Sequence, residues 1–253
     1  MEHSSLMMYS VVVFLLVCVV LSVYFMYSLV SLSDIKENKV ITFTFDDGYL
    51  NFYDVIYPMF EEFEYTGTVY IISGKVGTYF EDEELMNWTH IEEISSKGWE
   101  IGSHTLTHPD LTLLGESDLR YELEESKRIL EDRGFEVRSL AIPYGRYDDE
   151  VRHVSEEYYQ SVRPSSWGVN DLNNFDNYNI KSIWLTNRTE LGFVKEQIDS
   201  LKDNEWLVFM IHLVNYNEGE YTISPLLMEE ILEYIKFKDI KVKTLTEVVE
   251  KYG

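Results

Sequence analysis

Short runs of β-branched and aromatic residues recur along this chain, and between most of them lie stretches with helical spacing. The runs fall at Val40–Phe45, Thr68–Ile72, Trp99–Ser103, Val137–Ile142, Tyr158–Val162, Ile180–Leu185, Trp206–Ile211 and Ile240–Lys243. The clearest helical stretches are Glu116–Arg133, Glu190–Lys202 and Pro225–Phe237, with Gly134 placed to end the first. A helix between successive strands is the connection that parallel strands require, and it covers the sheet from outside. About seven to eight such units predict an α/β fold, a distorted (β/α) barrel of parallel strands that is irregular in the weak region 163–180. No repeat, low-complexity tract or Pro/Gly-rich linker interrupts residues 40–253, so a single domain is expected over residues 34–253. In such a barrel the chemistry sits at the C-terminal ends of the strands, and the motifs must be sought there.

The first predicted strand ends in Thr44-Phe45-Asp46-Asp47-Gly48. Adjacent carboxylates repel, so one of them needs a cation; Asp47 can ligate a metal while Asp46 stays free as a proton acceptor. The third strand runs into His104-Thr105-Leu106-Thr107-His108-Pro109, and two imidazoles four residues apart can converge on one ion. An Asp with two His leaves coordination positions open for water and substrate. The fourth strand leads to Pro143-Tyr144-Gly145 and the seventh to His212, which faces the same mouth from the other side. Three of the six histidines thus follow predicted strands at the end where a barrel builds its site.

These segments, in this order, resemble the polysaccharide deacetylase family, also called the NodB homology domain or carbohydrate esterase family 4, over residues 40–250. The resemblance implies a distorted barrel, a divalent metal, usually zinc, and hydrolysis of N-acetylglucosamine amides in an acetylated glycan. By position it implies Asp47, His104 and His108 as metal ligands, Asp46 as general base, Tyr144 as oxyanion donor through its main chain, and His212 as general acid. Three departures stand out. Many members have an Arg two residues before the motif Pro, to orient the base, where this chain has Ala141; Arg163, after the fifth strand, is a candidate replacement. Nothing in 167–176 matches the Asp and Trp that usually tune the acid His. Met210 takes the place of a Leu beside the acetyl methyl, a volume-conserving exchange. Tyr147 and Trp167 are candidates to stack on sugar rings, Trp184 is expected in the core, and Glu122, Glu124, Glu125 and Glu131 are expected on solvated helix faces. Two other readings share the motifs: hydrolysis of a small non-glycan amide, and a membrane-tethered carbohydrate-binding protein without turnover.

Ahead of the domain, Ser4–Ser33 carries no charged side chain, and its apolar centre suits a single transmembrane helix across a core of about 30 Å. A cleaved signal peptide is the rival, but a basic start and a small-x-small site are poorly represented. Residues 1–33 are therefore expected to be a membrane anchor. Lys36 and Lys39 after the span vote weakly for a cytoplasmic domain, whereas the deacetylase resemblance favours an extracellular one; sequons at Asn87 and Asn187 fit an external location but decide nothing. The formal charge is −24, all but the Glu2 contribution lying beyond residue 33, which disfavours nucleic acid as a partner. The only cysteine, Cys18, lies in the apolar run, so the domain has no disulfide and no Cys metal site.

Overall fold

The first strand, β1 (Lys39–Phe45), is buried along nearly its whole length, as the middle of a parallel sheet must be. The structure, a computed structural model, describes residues 15–26, 39–216 and 219–253. Among the described residues, seven further strands run parallel to it in the same sheet: β2 (Thr68–Ile71), β3 (Glu100–Ser103), β4 (Ser139–Ala141), β5 (Ser161–Arg163), β6 (Ile183–Trp184), β7 (Glu205–Ile211) and β8 (Lys241–Val242). Each of the eight expected runs contains or overlaps a strand, although the fifth starts at the last residue of a helix and the sixth is a strand only over two residues. They pair in parallel in the order β5-β4-β3-β2-β1-β7-β6, with β8 beside the first half of β1. Between β5 and β6 the ladder gives way to loop contacts: Val162 N–H donates to Asn177 O at 2.8 Å and Ser182 N–H to Ser166 O at 2.8 Å. The irregularity expected at 163–180 is therefore the seam of an incompletely closed barrel. A two-residue antiparallel strand, Asn170–Asp171, joins the start of β7 there.

The helices α1 (Tyr57–Phe63), α2 (Trp88–Ser96), α3 (Glu116–Glu131), α4 (Asp149–Tyr158), α5 (Leu191–Ser200), α6 (Pro225–Lys238) and α7 (Leu245–Tyr252) fill the crossovers and follow the last strand. Their ends are written locally. Ser224 caps α6 by accepting from Leu227 N–H, with Pro225 in the first turn, and Thr244 and Glu247 form a capping box on α7. After α3, Gly134 takes φ +90°, the left-handed conformation that stops a helix. The core is aromatic near β1. Phe43, Phe45, Phe52, Phe60 and Trp99 meet at centroid distances that include 4.8 Å for Phe52–Trp99 and 5.1 Å for Phe43–Phe60, both edge-to-face. The two threonine hydroxyls inside β1 are satisfied: Thr42 Oγ1 accepts from Trp206 Nε1 at 2.9 Å and Thr44 Oγ1 donates to Phe209 O at 3.1 Å.

Residues 15–26 form an α-helix with exposed apolar side chains, such as Val20 and Tyr24. Most of the expected membrane span over 1–33 lies outside the described residues. Among the described residues no helix is long and apolar enough to cross a membrane.

Candidate active site

Strand register decides which residues meet. In the parallel pair of β1 and β7, Phe45 lies opposite Ile211, so the next residues, Asp46 and His212, leave the sheet side by side, and Asp46 N–H donates to Ile211 O at 3.0 Å. Ile71 on β2 lies opposite Ser103 on β3, which brings His104 to the same end; its N–H donates to Ile71 O at 2.9 Å. The chain then turns sharply after Asp46. Asp47 and Gly48 take φ +71° and +77°, the left-handed region that glycine enters without strain, and a Cβ on Gly48 would also press on Ile71 Cδ1 at 2.9 Å. Asp tolerates the left-handed region better than most residues.

The turn buries Asp47 against the two imidazoles. Asp47 Oδ1 lies 3.4 Å from His104 Nε2 and 3.4 Å from His108 Nε2, and all three side chains are less than a tenth exposed. His104 Nδ1 lies 2.9 Å from the carbonyl of Ala141, which it serves as donor when Nε2 carries a lone pair. The His108 ring is held by packing, with Phe80 and Tyr144 each 4.7 Å away by centroid. Burial alone pushes the Asp47 carboxyl up, but contact with His104 and the charges of His104, His212 and His108 outweigh it and hold it at about 2. Burial pushes His104 down, yet the two carboxylates leave it raised overall; His108, more simply desolvated and facing His104, is lowered to about 4. Asp47, His104 and His108 are the group with metal-ligand spacing among the described residues.

These groups floor a cavity of about 320 Å³. Asp46 and His212 line it beside the triad, and His212 Nε2 is 3.9 Å from Asp46 Oδ2. Met210, Ile142 and Trp184 give it an apolar wall, Tyr144 and Tyr221 stand at its rim more than half exposed, and Glu81 supplies a further carboxylate. Tyr144 sits in a left-handed turn with φ +56° and ψ +2°. Asp47, Glu81, His108 and Tyr144 all line this cavity with φ above zero, a concentration of backbone strain that marks functional ground.

A family model described as polysaccharide deacetylase matches residues 33–161, half of the chain. The chain belongs to the polysaccharide deacetylase family. A chitooligosaccharide deacetylase of Sinorhizobium fredii is 30% identical over 132 residues, which cover 49% of this chain and 58% of that protein. The chain thus spans little more than half the length of that relative. Among solved structures, peptidoglycan deacetylase PdaC from Bacillus subtilis superposes with a TM-score of 0.59 at 20% identity, covering 85% of this chain and 92% of that one. A CE4 family pseudoenzyme from Bacillus anthracis does so with 0.57 at 17%, covering 85% and 66%. At these identities the structures establish the shared fold, and the site must carry the chemistry on its own residues.

Within this deacetylase-family fold the missing Arg has a geometric answer. Ala141 at the end of β4 lies opposite Arg163 at the end of β5, so a guanidinium from the neighbouring strand arrives at the same height. Arg163 is 1% exposed, and its Nη2 reaches both oxygens of Asp46, at 2.6 and 2.7 Å. Its Nη1 lies 2.9 Å from Met210 Sδ, and its guanidinium stacks 5.2 Å from the Tyr70 ring.

Three sequence expectations are corrected. Trp184 is half-buried and lines the cavity instead of joining the core, because β6 is two residues long at the open seam and leaves it at the rim. Tyr147 packs against the core instead of the mouth, while Trp167 stays more than half exposed, edge-on to Trp184 at 5.8 Å. Glu122 is buried, not solvated, and accepts hydrogen bonds from the loop that carries the two histidines. That position was readable: Glu122 falls on the stripe formed by Leu119, Leu123 and Leu130, which helical spacing turns inward.

Proposed function

We propose that this chain hydrolyses N-acetyl amides on an N-acetylglucosamine-type polysaccharide or oligosaccharide, using one divalent metal ion, with zinc expected. One observation carries the reading: Asp47 Oδ1, buried and without a hydrogen-bond partner, lies 3.4 Å from Nε2 of both His104 and His108. Charge-assisted hydrogen bonds are shorter, about 2.7–2.9 Å. Two donors each ~2.0–2.1 Å from a tetrahedral ion stand about 3.3–3.4 Å apart. One carboxylate and two imidazoles would hold the ion and leave positions open, the donor set of a catalytic zinc site. When bound, the ion supplies a Lewis acid for the acetyl carbonyl and lowers the pKa of a water toward ~7.

The remaining work falls to this chain's residues. Asp46 takes the proton of the attacking water, and Arg163, bonded to both of its oxygens, fixes the direction of its carboxylate. Tyr144 offers its main-chain N–H to the developing oxyanion, a role that preorganised donors fill without reorganising. His212, 3.9 Å from Asp46 and one-fifth exposed, delivers a proton to the departing amine. Met210 and Trp184 exclude water around the acetyl methyl and the sugar face. We propose further that residues 1–33 tether the domain to a membrane and that it lies on the outer side; the uncharged stretch Ser4–Ser33 and the exposed apolar helix at 15–26 support the tether, and the proposed glycan substrate supports the side.

The test is acetate release from chitooligosaccharides by the full chain, with metal content measured on the same sample. Release of acetate that stops on chelation and returns with zinc supports the proposal. Turnover of small amides alone moves the substrate to that class, and glycan binding without acetate release makes the chain a carbohydrate-binding protein.

A further inference from the structure

The loop that carries His104 and His108 makes almost no backbone ladder of its own, yet it holds two left-handed residues, Thr105 at φ +65° and His108 at φ +66°. For a β-branched Thr that conformation costs about 1–3 kcal/mol unless the surroundings impose it. The surroundings can be followed group by group. Thr105 N–H donates to Ser103 Oγ at 3.2 Å, Leu106 and Thr107 N–H both donate to Glu122 Oε2 at 3.0 and 2.9 Å, and His108 N–H donates to Thr105 Oγ1 at 3.0 Å. Each main-chain N–H from 105 to 108 therefore ends on a side-chain oxygen. On the other edge, the Thr105 and Leu106 carbonyls accept from Ser73 and Gly74 N–H at 3.1 and 2.9 Å.

Glu122 is the charged acceptor in this set. It takes two of the four N–H groups on one oxygen and the Thr107 hydroxyl, at 2.6 Å, on the other. One turn further along α3, Ser126 hydrogen-bonds Ser103 at 2.7 Å and Ser73 at 3.0 Å, so one buried helix face grips the loop at both ends. A carboxylate buried there is stable because those donors satisfy it, and their geometry is fixed because the carboxylate is fixed.

We infer that Glu122 is a positioning residue: its carboxylate holds the 104–108 loop in the left-handed shape that brings both imidazoles onto one oxygen of Asp47. The inference rests on the metal-site reading for its consequence and on the loop geometry for its cause. Freed of Glu122, the loop relaxes in the metal-free protein, and the cost of reforming it appears when metal binds. Partners that orient ligands in this indirect way are typically worth about 10–100-fold in metal affinity.

The experiment compares the full-length wild type with Glu122→Ala, Glu122→Gln and Glu100→Ala. Glu100 is a matched control, because it accepts from Thr68, Ser139 and Thr246 at the opposite end of the strands. Zinc affinity is measured by competition with a chromophoric chelator, the unfolding midpoint on metal-free protein, and amide exchange at 105–108. Glu122→Ala is expected to lose about 10–100-fold in zinc affinity and to exchange faster at Leu106 and Thr107. Glu122→Gln, which keeps an acceptor oxygen, should recover most of both, and Glu100→Ala should lower the midpoint with zinc affinity and loop exchange unchanged. Wild-type zinc affinity in Glu122→Ala, or a loss in both alanine variants that merely tracks stability, overturns the inference. Should the wild type itself bind no zinc, the metal reading fails, and the exchange rates alone decide for or against Glu122.

Discussion

Replacing Arg163 by Met removes the guanidinium while filling much of its volume, and leaves Asp46, 4% exposed, without its cation. Breaking a buried ion pair by deleting one partner costs about 3–5 kcal/mol. A unit of this size shifts by about 2–4 °C per kcal/mol. Arg163→Met is therefore expected to melt roughly 6–20 °C below wild type, by scanning calorimetry on metal-free samples. Its turnover should fall as well, because the base loses the contact that fixes its direction, and Arg163→Lys, with one charge but no planar fork, should lie between. A melting temperature within about 2 °C of wild type would refute the argument, since the ion pair would then contribute nothing.

Three other outcomes follow from the same geometry. Asp46→Asn should bind zinc as the wild type does while losing about 10²–10⁴ in kcat, whereas Asp47→Ala and His104→Ala should lose zinc and activity together; metal analysis beside acetate release checks both. Metal-free protein should be destabilised as pH falls from 6.5 to 4, because the unfolded chain protonates His108 there and the folded chain, held at about 4, does not; the loss is about 3 kcal/mol in a urea titration series. His104, shifted the opposite way, contributes stability that is present below 6.5 and is lost as pH rises through its raised value. Trp184→Ala should raise KM for oligosaccharides more than it lowers kcat, and an unchanged KM would return Trp184 to a structural role.

The alternation of strand and helix, and the residues at the strand ends, were legible because period-two and period-3.6 patterns and local turn chemistry are written in neighbouring residues. Asp46, Asp47, His104, His108, Tyr144 and His212 all line one cavity, as their places after predicted strands imply. Trp184 was misread because an aromatic on a strand looks the same whether its strand is central or lies at a broken seam. Glu122 was misread as one of several acids on a helix, although its place on the apolar stripe was visible.

What the sequence determined alone was the parallel α/β plan and the identity of the candidate ligands, since both depend on short-range spacing. Tertiary structure decided the rest: the β4–β5 register that seats Arg163 across from Ala141, and the α3 face that delivers Glu122 to the histidine loop. The Arg163–Asp46 and Glu122–Leu106 contacts that result join residues 117 and 16 positions apart, because packing answers to distance in space and not to distance along the chain.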